Sequence, residues 1–286
     1  WAGFGLNESQ PEAFIDTSFG TARREADWNV MDGGAGEDLI EGGWGNDVAS
    51  GGDDFDIIAG LAGDDSIFGD GGNDRLWGDG GAVYVMGQAY YDAINAELGL
   101  PSGPVATQYN QWYVPGYLHG RDFLDGGSGN DMIGGSGNDD ILLGGDGDDS
   151  LRGDAEFVGT VFERRVNEPF EIRGDDWLEG GAGLDSMIGD AGNDTLLGGV
   201  DNDSLWGDDD QRYLPIEHHG TDLLDGEGGN DQLVGGGNAD TLYGGDGDDR
   251  MLGDEVQTRV ATSAHGDDEL YGGAGNDLMV GGGGGD

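Results

Sequence analysis

The chain contains no cysteine, so neither disulfides nor thiolate-bound metals can hold it together. Only 11 of its 286 residues are Lys or Arg, against 60 Asp or Glu, for a formal charge of −49. A surface that acidic repels phosphate, which excludes nucleic acid as a partner. No apolar run approaches the roughly 18 residues of a membrane-spanning helix, which argues against membrane insertion. Apolar residues make up 35%, few for a globular core, and by composition alone the chain sits near the disordered class. Catalytic motifs are missing as well. The four histidines form no H-E-x-x-H, and neither Gly126-Gly127-Ser128-Gly129 nor Gly134-Gly135-Ser136-Gly137 completes a nucleophile elbow. The expectation is a protein that is not an enzyme. There is no initiator Met and no signal-peptide pattern at Trp1, and Gly281 to Asp286 stop within a repeat. A processed product or a piece of something longer is therefore expected.

What the chain has is glycine, 64 residues of it, set in a nine-residue period. Gly33-Gly34-Ala35-Gly36-Glu37-Asp38-Leu39-Ile40-Glu41 is followed in register by units starting at Gly42, Gly51, Gly60 and Gly69. The pattern G-G-x-G-x-D-x-U-x, with U apolar, returns at Gly126, Gly180, Gly226 and Gly272 and in the units that follow each. Glycines permit the positive φ that lets successive carbonyls converge. The sixth-position Asp adds a hard anionic oxygen, and an all-oxygen environment suits calcium better than any transition metal. The last three residues read as a short strand with its middle side chain inward, as at Ile40, Ile58, Leu142 and Leu196.

These units resemble the RTX family, the haemolysin-type calcium-binding repeats of proteins secreted by Gram-negative bacteria. The resemblance covers nearly everything from Asp27 to Asp286. It implies an all-β fold, a right-handed parallel β-roll with two nonapeptides per coil and calcium between turns one coil apart. In that family one turn supplies its second and fourth carbonyls, the next its first and third, and both their sixth-position carboxylates. Carried over, the metal ligands are Asp38, Asp47, Asp56, Asp65, Asp74, Asp122, Asp131, Asp140, Asp149, Asp176, Asp185, Asp194, Asp203, Asp222, Asp231, Asp240, Asp249, Asp268, Asp277 and Asp286. The count of units implies about 15 to 19 calcium ions, nearly enough to neutralise the chain.

Residues 1–26 lie outside the repeats and read as a cap or linker before a roll over 27–286. Four insertions interrupt that roll, at 80–118, 155–172, 209–218 and 255–264. The chain leaves each time after Gly-Asp, at Asp79, Asp154, Asp208 and Asp254. It returns at His119-Gly120, Arg173-Gly174, His219-Gly220 and His265-Gly266. Three uninterrupted units separate successive insertions, so the departures recur every two coils and belong on one edge. The histidines are expected to act only through their carbonyls, with exposed rings. The first insertion carries Tyr84, Tyr90, Tyr91, Tyr109, Trp112, Tyr113 and Tyr117, with a helix expected over 89–98. A hairpin is expected around Val158 to Val166 in the second. The ninth-position row, including Ala59, Trp77, Ile188, Trp206 and Val234, is apolar and faces outward, so a cover is expected over it.

The function to expect is a secreted calcium-binding structural protein, folding outside the cell and polymerising end to end through open coil ends. The alternative is a folding module of a larger secreted enzyme, toxin or adhesin. Expected partners are calcium, further copies of the chain, and a protein or glycan at insertion 80–118.

Overall fold

The computed structural model describes residues 12–15, 28–79, 81–82, 111–112, 120–154, 156–158, 161–163, 174–208, 218–254 and 265–286. Strands alternate between two parallel sheets of eleven and ten strands, so one coil is two nonapeptides. Leu39 pairs with Ile57 and Val48 with Ser66, each 18 residues on. The architecture is a parallel β-roll. Among the described residues no helix is long and apolar enough to cross a membrane.

Many strands are longer than the three residues expected. Val30–Ala35, Ile57–Ala62, Phe123–Ser128 and Trp177–Ala182 each run six residues, through both leading glycines. The reason is that parallel backbone pairing continues past the apolar triplet, as at Gly127 opposite Gly145 and Gly181 opposite Gly199.

Eighth-position side chains from both sheets meet in one core, from Ile40 through Ile58, Leu124, Leu142, Leu196 and Leu233 to Met251, nearly all fully buried. The row is a single residue deep on each side, so its stabilisation is limited and each member matters. Leu205→Ala is expected to cost about 2–5 kcal/mol in saturating calcium, measured as a shift in denaturation midpoint. Met279 occupies the same position but is 48% exposed, because Leu278–Val280 is the outermost strand of its sheet.

All four departures end strands of the eleven-stranded sheet, after Arg75–Asp79, Ser150–Arg152, Ser204–Asp208 and Arg250–Asp254. The returns begin strands of the ten-stranded sheet, at Phe123, Trp177, Leu223 and Glu269. In the eleven-stranded sheet one strand lies between each departure strand and the next. Across the interruptions the coil offset grows from 18 residues to 57, 36, 28 and 28 without loss of register. The roll therefore closes behind each insertion.

The ninth-position row of the eleven-stranded sheet is covered within the single chain. Ala59, Trp77 and Val234 are buried, and Ala59, Leu61 and Trp77 form a second small cluster. Gly81–Ala82 lies beside Ile57–Ala62, and Glu156–Val158 beside Arg75–Asp79. Glu156–Val158 pairs antiparallel with Val161–Glu163, so the second insertion does contain a hairpin, centred earlier than the sequence suggested. The expected helix over 89–98 and the tyrosines of the first insertion lie outside the described residues. Of residues 1–26, Glu12–Ile15 adds a strand against Asp38–Glu41 at one end of the eleven-stranded sheet.

The other outer face is bare. On the ten-stranded sheet Ile141, Trp177, Leu223, Tyr243 and Tyr271 are exposed, with Tyr243 and Tyr271 stacked at 4.9 Å between centroids.

Candidate metal centres

The sixth-position aspartates stack into two ladders, one along each edge. One runs Asp38, Asp56, Asp74, Asp131, Asp149, Asp185, Asp203, Asp231, Asp249 and Asp277. The other runs Asp47, Asp65, Asp122, Asp140, Asp176, Asp194, Asp222, Asp240, Asp268 and Asp286, and lies on the insertion edge. Each carboxylate reaches back one coil, so that Oδ1 accepts the N–H of the preceding rung. Asp56 Oδ1 accepts from Asp38 N at 2.8 Å, and Asp122 Oδ1 from Asp65 N at 2.7 Å. The rung's own carbonyl accepts from the next coil, as in Phe123 N donating to Asp65 O at 2.9 Å.

That leaves the second oxygen. In sixteen rungs, from Asp56 to Asp268, Oδ2 is buried and has no protein partner. A buried carboxylate oxygen without a donor is costly, and repeated sixteen times it demands a cation. Each such Oδ2 lies over the first glycine of its own unit, beside a carbonyl of the adjacent coil. A Cβ built on Gly60 would lie 2.0 Å from Asp65 Oδ2 and 2.7 Å from Gly78 O. First-position glycines are thus required by close approach rather than by φ. Left-handed φ belongs to the second and fourth positions, as at Gly52 (113°) and Gly129 (137°). Among the described residues no three His, Cys, Asp or Glu side chains converge as a metal cluster. The donor set is carboxylate plus backbone carbonyl, all hard oxygen, which fits calcium.

The two kinds of glycine make separable predictions. Gly34→Ala meets nothing within 4 Å, so it should cost only the left-handed strain of about 1–2 kcal/mol. Gly129→Ala places Cβ 1.3 Å from Gly72 O and should prevent adjacent coils from stacking. Melting both variants in calcium checks the contrast.

Electrostatics distinguish the edges. On the insertion edge, burial first and neighbouring carboxylates second push Asp65 up to about 9. Burial, opposed by a backbone hydrogen bond, takes Asp122 to about 8. Burial also drives Asp140, Asp176, Asp194 and Asp222 well above the ordinary carboxylate range. Opposite, burial raises Asp56, Asp74, Asp149 and Asp203 only to about 7, and Asp131, Asp185 and Asp231 to about 6. Bare protein holds these groups as acids awaiting a counter-charge.

Sequence reasoning missed a third set of residues. Fifth-position side chains form exposed ladders of opposite sense, accepting from the N–H one coil ahead. Asn73 Oδ1 accepts from Asn130 N at 2.9 Å, and Asp248 Oδ1 from Asn276 N at 2.8 Å. The signal was present in the recurring Asn-Asp pairs at 46–47, 73–74, 130–131 and 230–231. Each turn is thereby tied to both neighbours.

The histidine expectation needs correction. His219 is buried, with Nδ1 2.8 Å from Asp208 Oδ2, and His265 Nδ1 lies 2.8 Å from Asp254 Oδ2. A carboxylate placed at the departure draws the ring inward. His119 and Arg173 lie outside the described residues.

Comparison with protein families matches the RTX calcium-binding nonapeptide repeat (4 copies) to residues 26–58, 50–85, 134–155, 173–210, 220–255 and 266–286. Together these spans exceed half of the chain. The chain belongs to the RTX calcium-binding repeat family. A search of curated proteins finds no match. The matched spans contain most rungs of both ladders, so the orphan oxygens of this RTX roll lie where the family binds calcium.

Proposed function

We propose that this RTX roll is a calcium-assembled structural element of the cell exterior. The observation that carries the reading is the pair of ladders with buried, unpartnered Oδ2 atoms running the length of the roll. Ten rungs per edge bound nine gaps, or about 18 calcium ions, each held by two ladder carboxylates and backbone carbonyls. The ligands are the twenty aspartates from Asp38 to Asp286 named from the sequence. Asp277 and Asp286, in the outermost turns, are the more accessible ones. About 36 positive charges would then offset most of the formal −49. Calcium near millimolar outside cells, and scarce within them, makes the exterior the place where the chain folds. No catalytic role is assigned, since calcium binding accounts for the buried carboxylate ladders.

Association of copies is supported by the bare apolar face of the ten-stranded sheet, where Ile141, Trp177, Leu223, Tyr243 and Tyr271 are exposed. Such a face favours a partner once calcium has removed the charge repulsion. Electron microscopy and light scattering with calcium and with chelator test this. Calcium-dependent polymers or sheets are expected. Monomeric rods in calcium would overturn the assembly reading and favour a module of a larger secreted protein.

A further inference from the structure

Every uninterrupted turn joins its second and third positions by a peptide bond, and the second residue takes left-handed φ even where it is not glycine. Leu61 (85°), Ser136 (96°) and Asp190 (81°) show it. The four interrupted turns lose that bond, because 10 to 39 residues intervene. None of the departing residues Asp79, Asp154, Asp208 and Asp254 has positive φ, and none of the returning glycines Gly120, Gly174, Gly220 and Gly266 does. Something other than chain connectivity must hold such a turn in shape.

The second-position carboxylate does so. Gly120 N donates to Asp79 Oδ2 at 2.9 Å, and Gly174, Gly220 and Gly266 donate to Oδ1 of Asp154, Asp208 and Asp254 at 3.3 Å each. The same contact therefore spans the neck of all four insertions. At three of them the other oxygen also reaches the third position of the following coil. Ala191 N donates to Asp154 at 3.3 Å, Gly237 N to Asp208 at 2.9 Å and Gly283 N to Asp254 at 2.6 Å. The His219 and His265 rings close on Asp208 and Asp254 from the returning strand. Asp190 is the informative exception. It sits at the second position of an uninterrupted unit, keeps left-handed φ, and instead takes the Arg152 guanidinium, with Nε 2.6 Å from Oδ2. The neck contact accompanies the insertion, not the residue type.

We propose that Asp79, Asp154, Asp208 and Asp254 are positioning residues that rebuild the calcium turn at the neck of each insertion. They replace the missing peptide bond with carboxylate hydrogen bonds and make the roll indifferent to what is inserted. Closing a loop of 10 or more residues is entropically unfavourable, and bonds to a charged acceptor are of the strength needed to offset it. The proposal rests on the calcium reading above, since it concerns the shape of those turns.

A double-mutant cycle on the full chain tests it. Asp208→Gly is made in the intact protein and in a variant lacking residues 209–218, where Asp208 is joined directly to His219. Calcium is titrated by isothermal calorimetry, and exchange of the Gly220 and Gly237 amides is followed in saturating calcium. In the intact chain the substitution is expected to weaken one or two sites at least ten-fold and to speed exchange at both amides. In the shortened chain glycine completes the ordinary G-G-x-G turn, and the expected change is under two-fold. Equal losses in both backgrounds would overturn the proposal, because the carboxylate would then be acting through charge alone. No loss in the intact chain would overturn it as well. An unaltered protein that binds no calcium would overturn the calcium reading together with this one, whereas calcium binding with an additive cycle would remove only the clamp.

Discussion

Removing calcium is expected to unfold this protein almost completely, with the radius of gyration rising from about 20 Å to about 60 Å for a chain of this length. The apolar core is one residue deep per sheet, while 64 glycines make the conformational entropy lost on folding unusually large. Stacked carboxylates oppose the fold further, since each ladder repeats an acidic group every coil. Calcium reverses the sign of that interaction and supplies the donorless Oδ2 atoms with a partner. Binding free energy and folding free energy are then the same quantity. Small-angle scattering and far-ultraviolet circular dichroism across a calcium titration check this. A compact, β-rich chain in chelator at neutral pH would sink it.

The second large effect is an antagonism between protons and calcium. Ladder aspartates have folded values raised to about 6 to 9, with several higher, against an ordinary value near 4. The metal-free folded chain therefore holds more protons than the unfolded chain between about pH 4 and the raised values. The penalty from these groups is absent below about pH 4 and grows as pH rises through the window from about 4 to 9. Acidifying a calcium-free sample toward pH 4 should recover part of the β signal. Calcium must displace those protons, so its midpoint concentration should fall on the order of ten-fold or more between pH 6 and pH 8. Proton release on adding calcium in weakly buffered solution gives a direct reading. The insertion edge, with the more raised carboxylates, should dominate that release near pH 8. A calcium midpoint unchanged from pH 6 to 9 would contradict the burial of these groups.

Both effects follow from a pattern that needs no tertiary information. Nine-residue periodicity, a carboxylate at every sixth position and a single apolar residue at every eighth leave few ways to build a structure. Period two at the apolar triplet makes strands, glycine makes the turns, and the acidic excess calls for a cation. The even spacing of the interruptions also placed them on one edge, because two units complete a coil. Covalent order along the chain is enough for all of this, since every relevant neighbour lies one or two units away in sequence.

Other features depend on what sits one coil above or below, a distance that varies from 18 to 57 residues. Which glycines need left-handed φ and which need only an absent side chain is decided by the carbonyl or carboxylate stacked over them. The fifth-position ladder arises because an Asn oxygen finds an amide in the next coil. His219 is drawn into the protein by Asp208, across an insertion whose contents do not matter to the contact. The same holds for the aspartate at each departure. In sequence it is one acidic residue among 60, and only closure of the neck gives its carboxylate four-fold repeated work. Local chemistry wrote the repeat, and stacking assigned the partners.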